Sequence, residues 1–169
     1  GLGLPEAIKT VWPDVLPDQM EPMREAYARY FVYDSQIAMN LFNGAESLLD
    51  GLSANGRKIA VATGKSRKGL DRILKDLSLS GVFDTTRCAD ETRSKPHPLM
   101  LSEILEELGV SADSALMVGD TTYDLEMAAA IGMDSAGMSH GAHDEQRLRA
   151  CGPRVICHSI NELSDWIGI

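Results

Sequence analysis

The sequence predicts an α/β fold, a mostly parallel sheet with helices on both faces, preceded by an all-helical segment. Three observations carry this reading. From Lys58 onward, apolar runs of strand length alternate with stretches whose apolar residues recur at helical spacing. Residues suited to ending a helix, Asn55-Gly56, Gly109 and Gly132, stand where those helices should stop. The run Ala115-Leu116-Met117-Val118 turns abruptly into Gly119-Asp120-Thr121-Thr122-Tyr123-Asp124, which suits a buried strand ending in an acidic turn. Strands and helices alternating at these lengths imply right-handed crossovers.

Each element follows from its pattern. Pro5 to about Asn40 is helical, with Met23, Ala26, Tyr27, Tyr30 and Phe31 along one apolar face. Pro13, Pro17 and Pro22 are expected to break up what precedes that face, leaving a short helix near Glu6 to Trp12 as a separate piece. Asn40 to Gly44 reads as a linker and Ala45 to Leu52 as a helix. Lys58 to Thr63 is a buried strand, and Leu70, Ile73, Leu74 and Leu77 give the next helix its inner stripe. Val82 to Cys88 is a strand. Pro98 opens a helix that turns Leu101, Ile104, Leu105 and Leu108 inward. After the central strand come a helix over Leu125 to Ile131, a strand over Asp134 to Met138 and a helix over Asp144 to Ala150. A strand over Arg154 to His158 and a helix over Asn161 to Ile167 close the chain. Residues 1–40 thus form a helical segment and 41–169 the core.

Composition narrows the partners. A chain of 169 residues supports one full core with a small appendage. The net charge of −9 argues against nucleic acid, which calls for a basic face. No apolar run is long enough to span a bilayer and no signal-peptide pattern opens the chain, so a cytoplasmic location is expected. Cys88, Cys151 and Cys157 lack Cys-x-x-Cys spacing and are expected to be free thiols.

Three stretches could carry chemistry. Asp120 falls at the carboxyl end of its strand, the edge of an open α/β sheet where ligands bind, and Asp124 follows one helical turn later. Two hard oxygen donors facing a common point suit magnesium, although the stretch also reads as a plain turn with Asp120 or Thr121 as N-cap. Thr63-Gly64-Lys65-Ser66 is a second strand-to-helix turn, offering a hydroxyl and backbone amides that can hold a phosphate. It is not a P-loop, since Ile59 stands where that motif needs glycine. Lys65 is the best placed of the nearby cations to touch an anion, with Arg67, Lys68, Arg72 and Lys75 expected mostly on a solvated face. Lys95-Pro96-His97-Pro98 sets a lysine before a rigid segment, and the proline is expected to keep that lysine extended. His140 and His143 are expected in a flexible loop at the site rim, and His158 in a structural role; with no third soft ligand nearby, no transition-metal site is indicated.

Taken in order, Thr63-Gly64, Lys95-Pro96 and Gly119-Asp120-Thr-Thr-Tyr-Asp124 resemble motifs two, three and four of the haloacid dehalogenase-like hydrolases, which have a Rossmann-like core. The wording Val61-Ala-Thr-Gly-Lys-Ser-Arg-Lys-Gly-Leu-Asp71 with Lys95-Pro-His-Pro is similar to the phosphoglycolate phosphatase-like branch. The resemblance implies a magnesium-dependent phosphatase of a small phosphorylated metabolite such as 2-phosphoglycolate. It implies that Thr63 and the Gly64 amide bind phosphoryl oxygens, that Lys95 neutralises charge, that Asp120 holds magnesium and that Asp124 assists the metal or Lys95. It also implies that residues 1–40 are the latter part of a helical cap.

One piece of the family pattern is missing. The first motif, Asp-x-Asp, supplies the nucleophile, and no two aspartates in this chain stand two residues apart. The expectation is a truncated, inactive phosphatase lacking its first, central strand, with a gap in mid-sheet that a partner chain could cover as a homodimer. The alternative expectation is a non-catalytic module that binds an anion or a partner through a degenerate site.

Overall fold

The computed structural model describes residues 1–31 and 39–169. In chain order the elements are α1 (Leu4–Val11), α2 (Pro17–Arg29), α3 (Ala45–Ala54), β1 (Ala60–Thr63), α4 (Arg67–Asp76), β2 (Thr85–Cys88) and α5 (Leu99–Leu108). They continue as β3 (Leu116–Gly119), α6 (Thr122–Ala129), β4 (Asp134–Met138), α7 (Glu145–Ala150), β5 (Val155–Cys157) and α8 (Ile160–Ile167). The α/β alternation from β1 onward is the one expected. A short 3₁₀ turn at Ala112–Ser114, not foreseen, leads into β3.

All strand pairs are parallel, but they fall into two sheets. β1 pairs with β2, setting Thr63 against Cys88, while β4 lies between β3 and β5, with Gly119 against Gly137. Among the described residues no ladder joins β1 to β3, so the sheet is interrupted in its middle, as anticipated. Side chains bridge the interruption. Ala62 of β1 and Met117 of β3 both pack on a buried cluster of Met100, Leu101, Met127, Ala128 and Met133. Because strand side chains alternate in direction, Leu116 faces the other way, into a second cluster of Ala136, Met138, Cys157 and Leu163. Val118 shares the face of Leu116 yet is 40% exposed, since among the described residues β3 has a strand on only one side.

Two helix ends follow the residues that were read as stops. Asn55 and Gly109 cap theirs, whereas α6 ends at Ala129 with Ala130 as its cap, before Gly132 is reached; Gly109 and Gly132 take φ of 63° and 70°, a left-handed conformation that side chains with a Cβ resist. At the other ends, Ser66, Asp144 and Ser159 accept backbone N–H groups as N-caps.

The helical segment differs from expectation at its prolines. Pro17 begins α2 instead of breaking it, and Pro22 sits inside it. Proline at the first helical position loses nothing, because that N–H has no partner in a helix, and Pro22 removes a single bond in the second turn. The Gln19 side chain accepts the Leu16 N–H at 3.1 Å and reinforces this start. The apolar face of α2 is not packed into a core either; Tyr27 is 52% exposed and stacks on Phe31 with ring centroids 5.9 Å apart. The continuation of that helix toward Asn40 lies, for residues 32–38, outside the described residues. No helix among the described residues is long and apolar enough to cross a membrane.

Candidate active site

The site is assembled from four loops at the carboxyl ends of β1, β2, β3 and β4. The turn after β3 is built around Asp124. Thr121 and Asp124 form a capping box at the start of α6, in which Asp124 Oδ2 accepts the Thr121 N–H at 3.2 Å and the Thr121 hydroxyl at 2.7 Å. The other carboxylate oxygen, Oδ1, receives the ammonium of Lys95. Both partners are buried, and both carboxylate oxygens are committed to protein donors. Burial pushes the Asp124 carboxyl up, but the Lys95 charge, together with hydrogen bonds from Lys95 and Thr121, outweighs it and holds the group below its ordinary value. Gly119 has to be glycine here, since a Cβ would stand 2.3 Å from the Asp124 Cβ.

Asp120 is held differently. Its Oδ2 accepts the Ala142 N–H at 2.9 Å, and its backbone carbonyl accepts the His143 N–H at 3.1 Å. His143 Nδ1 in turn accepts the Thr122 N–H at 3.0 Å, and its ring sits edge-on to Tyr123. The loop after β4, expected to be flexible, is thus pinned to the Asp120 turn by three hydrogen bonds. Its fold depends on Gly141, where a Cβ would fall 2.1 Å from the Asp120 Cβ. Oδ1 of Asp120 carries no hydrogen bond among the described residues.

On β1, the Thr63 hydroxyl accepts the Lys65 N–H at 3.2 Å, which leaves the hydroxyl proton for another acceptor. Gly64 is crossed by the chain's first residues: a Cβ there would meet the Leu2 carbonyl oxygen at 2.2 Å. The Gly3 N–H binds Ser94 Oγ at 2.7 Å, so this segment also touches the loop that carries Lys95. The Lys95–Pro96 peptide is cis.

Two arginines expected on a solvated face have structural partners instead. Arg67 makes a forked ion pair with Glu91, binds Asp71, and donates to the Thr86 carbonyl and hydroxyl. Arg72 donates to the Phe31 carbonyl at 2.6 Å and pairs with Asp76. With the Ala89 N–H bound to the Lys65 carbonyl at 3.0 Å, Arg67 ties the loop of Thr63 to the loop that leads to Lys95. Sequence reasoning offered Thr121 as an N-cap, which it is, and set His143 at the site rim, but missed the bonds by which these two and Arg67 build the site. The Thr121–Asp124 box is the one with a readable local signal.

A cleft of about 510 Å³ opens beside the β1 turn, between it and the first two helices, lined among others by Leu4, Tyr27, Phe31, Thr63 and Lys65. No cluster of three or more His, Cys, Asp or Glu side chains suited to a metal occurs among the described residues. Asp120 nevertheless fits magnesium: it is a hard donor with one open oxygen, and that ion keeps several waters when few protein ligands are offered.

A buried lysine paired with the second of two aspartates at one strand tip, together with a Thr-Gly turn at the tip of another strand, is a constellation for handling an anion. The sequence profile of the haloacid dehalogenase-like hydrolases matches residues 4–138, and the chain belongs to that family. Its similarity to curated relatives sets it on the phosphoglycolate phosphatase-like branch. It is 30% identical over 143 residues to a phosphoglycolate phosphatase of Rhodospirillum rubrum, covering 84% of this chain and 59% of that protein. It is 28% identical over 153 residues to the phosphoglycolate phosphatase of Escherichia coli K12, covering 90% and 61%. The chain therefore spans about three fifths of the length of these relatives. Among solved structures, a predicted phosphatase from Clostridium acetobutylicum superposes with a TM-score of 0.87 at 24% identity, covering 99% of this chain and 77% of that one. CbbY from Rhodobacter sphaeroides, solved in complex with phosphate, superposes at 0.81 with 23% identity, covering 96% and 76%. At these identities the two structures speak for the fold.

Proposed function

We infer that this chain carries the greater part of a magnesium-dependent phosphatase for small phosphomonoesters of the 2-phosphoglycolate type, with residues 1–40 as part of a helical cap and 41–169 as the hydrolase core. The observation that carries the reading is the buried Lys95–Asp124 pair, set one turn from Asp120 and its open oxygen. Phosphoryl transfer depends chiefly on positioning and on stabilising charge at the phosphoryl oxygens. In this reading the Thr63 hydroxyl proton and the Gly64 N–H bind phosphoryl oxygens, and Lys65 adds positive charge beside them. Lys95 brings its ammonium to the same oxygens, and Asp124 acts by holding that ammonium in place. Asp120 would hold magnesium, with Asp124 next to it; when bound, the ion supplies further neutralisation of the phosphoryl group.

The nucleophile is not among these residues. A phosphoenzyme needs an attacking carboxylate, and the Asp-x-Asp pair that supplies it in the family does not occur in the sequence. The 169 residues alone are thus expected to bind but not turn over a phosphomonoester. That same missing pair favours a second reading, a non-catalytic anion- or partner-binding module. The edges of β1 and β3, unpaired among the described residues, suit a homodimer in either reading.

The test has two arms. Phosphate release from a generic phosphomonoester is measured with magnesium and with chelator, first on the chain alone and then with an Asp-x-Asp strand segment added ahead of it. Magnesium-dependent release that appears only with the segment, and is abolished by Asp120→Ala, supports the phosphatase. No release in either arm, with magnesium bound or not, leaves the binding module as the function.

A further inference from the structure

Among the charged side chains of the described residues that line the cleft, Lys65 is a half-buried cation with no carboxylate partner. Its ammonium stands 4.5 Å from the centroid of the Phe31 ring, and no carboxylate pairs with it among the described residues. The other charged side chains lining the cleft are accounted for or exposed. Arg24 pairs with Glu21, Asp90 accepts the Arg67 N–H at 2.9 Å, and Glu25 is exposed. A half-buried ammonium held only by a ring face lacks the partner that ordinarily offsets its desolvation. Burial accordingly lowers the Lys65 pKa.

Position narrows what that partner is. Lys65 lies two residues from Thr63, and both line the cleft, so their backbones are at most about 7.6 Å apart. A molecule whose phosphoryl group rests on Thr63 and Gly64 therefore has its far end within reach of the Lys65 side chain. The Phe31 ring covers one side of the ammonium.

We propose that Lys65, backed by Phe31, is the specificity residue that reads a second negative group, a carboxylate, at the end of the substrate opposite its phosphate. The inference rests on the phosphoryl reading of Thr63 and Gly64 and goes beyond it, for it selects among phosphomonoesters. Those with a terminal carboxylate gain one charge-assisted hydrogen bond, and those ending in a methyl or ammonium group do not. Lys65 thus chooses the substrate in addition to lending charge beside the phosphoryl group, whereas Lys95 serves the phosphoryl group alone.

Binding tests this directly, since no covalent step is needed. The affinities of 2-phosphoglycolate, ethyl phosphate and phosphoethanolamine are measured by calorimetry on the 169-residue chain with magnesium. The expected result is a preference of about tenfold for 2-phosphoglycolate over ethyl phosphate, the scale of one hydrogen bond to a charged group, with phosphoethanolamine weakest. Lys65→Met should bring the first ratio close to one by weakening 2-phosphoglycolate far more than ethyl phosphate, and Lys65→Arg should keep most of the preference. A second readout needs no variant: the Lys65 side-chain NMR signals should move with 2-phosphoglycolate and stay in place with ethyl phosphate. Equal affinities in the unaltered chain, or unmoved Lys65 signals, overturn the proposal while the phosphoryl reading stands. If none of the phosphomonoesters binds, both fall.

Discussion

Lys95 and Asp124, 29 residues apart in sequence, meet as an ion pair in which each side chain is only 4% exposed. Removing one partner strands the other charge in a place where water cannot solvate it. Asp124→Ala is expected to cost about 3–5 kcal/mol of unfolding free energy. Urea denaturation checks this, and a loss below about 1 kcal/mol would mean that the pair is not buried as described.

The same pair sets a pH dependence with a definite sign. The Asp124 carboxyl is held below its ordinary value of 3.8, so the pair's stabilisation is complete above that value. It is lost as the pH falls through the lower, folded-state value. The stability gap between the unaltered chain and Asp124→Asn should therefore be constant from neutral pH down to the ordinary carboxylate range and narrow below it. A gap that widens on acidification contradicts the pairing.

Arg67 holds the Glu91 carboxyl down at about 2, chiefly by its forked hydrogen bond. Lysine keeps the charge but cannot make the fork. Arg67→Lys should raise the Glu91 value toward the usual carboxylate range, as read from its side-chain carbon shifts on titration. Both side chains are about a third exposed, so the accompanying loss of stability should be modest, about 1 kcal/mol.

Gly141→Ala places a Cβ 2.1 Å from that of Asp120 and so must shift the loop that pins the turn. The expected cost is about 1–3 kcal/mol, with the Ala142 amide losing its bond to Oδ2. Thermal melting gives the first quantity and the Ala142 amide shift the second. A variant with unchanged melting and an unmoved Ala142 signal would show that the loop has room to spare.

The three thiols should separate by burial. Cys88 is fully buried, with its thiol pushed up to about 12, and Cys157 is also buried. Cys151 is partly accessible but likewise raised by burial. Iodoacetamide at mildly alkaline pH should modify Cys151 slowly and the other two only in denaturant. Rapid native labelling of Cys88 would contradict its placement.

Much of the fold was legible because its determinants are local. Ala60 to Thr63 and Leu116 to Gly119 are short apolar runs closed by turn residues, and Gly109 stops its helix with a backbone few other residues adopt. What stayed hidden needed partners far away in sequence. Arg67 looks like any surface arginine until Glu91, 24 residues on, comes within 2.8 Å. The His143 loop looks mobile until its ring and amides find Thr122 and Asp120. Pro22 misled for the opposite reason: a local rule against proline in helices gave way because only one bond was lost. Of the candidate site, both turns and the lysine were legible as residue types in order, but the commitment of Asp124 to Lys95 and Thr121 shows only in three dimensions.

The interrupted sheet also shapes how the molecule opens. Each half is contiguous in sequence, residues 60–88 for one and 116–157 for the other, and among the described residues each of the two inner strands has a neighbour on one side only. Along such a strand every second amide points to the unpaired side and lacks a ladder partner. Amide hydrogen exchange across β1 and β3 should therefore alternate between protected and fast positions, whereas β4, flanked on both sides, stays uniformly slow. The two halves should also exchange as separate cooperative units, joined by the methionine-rich packing of Met100, Met117 and Met127 and not by backbone.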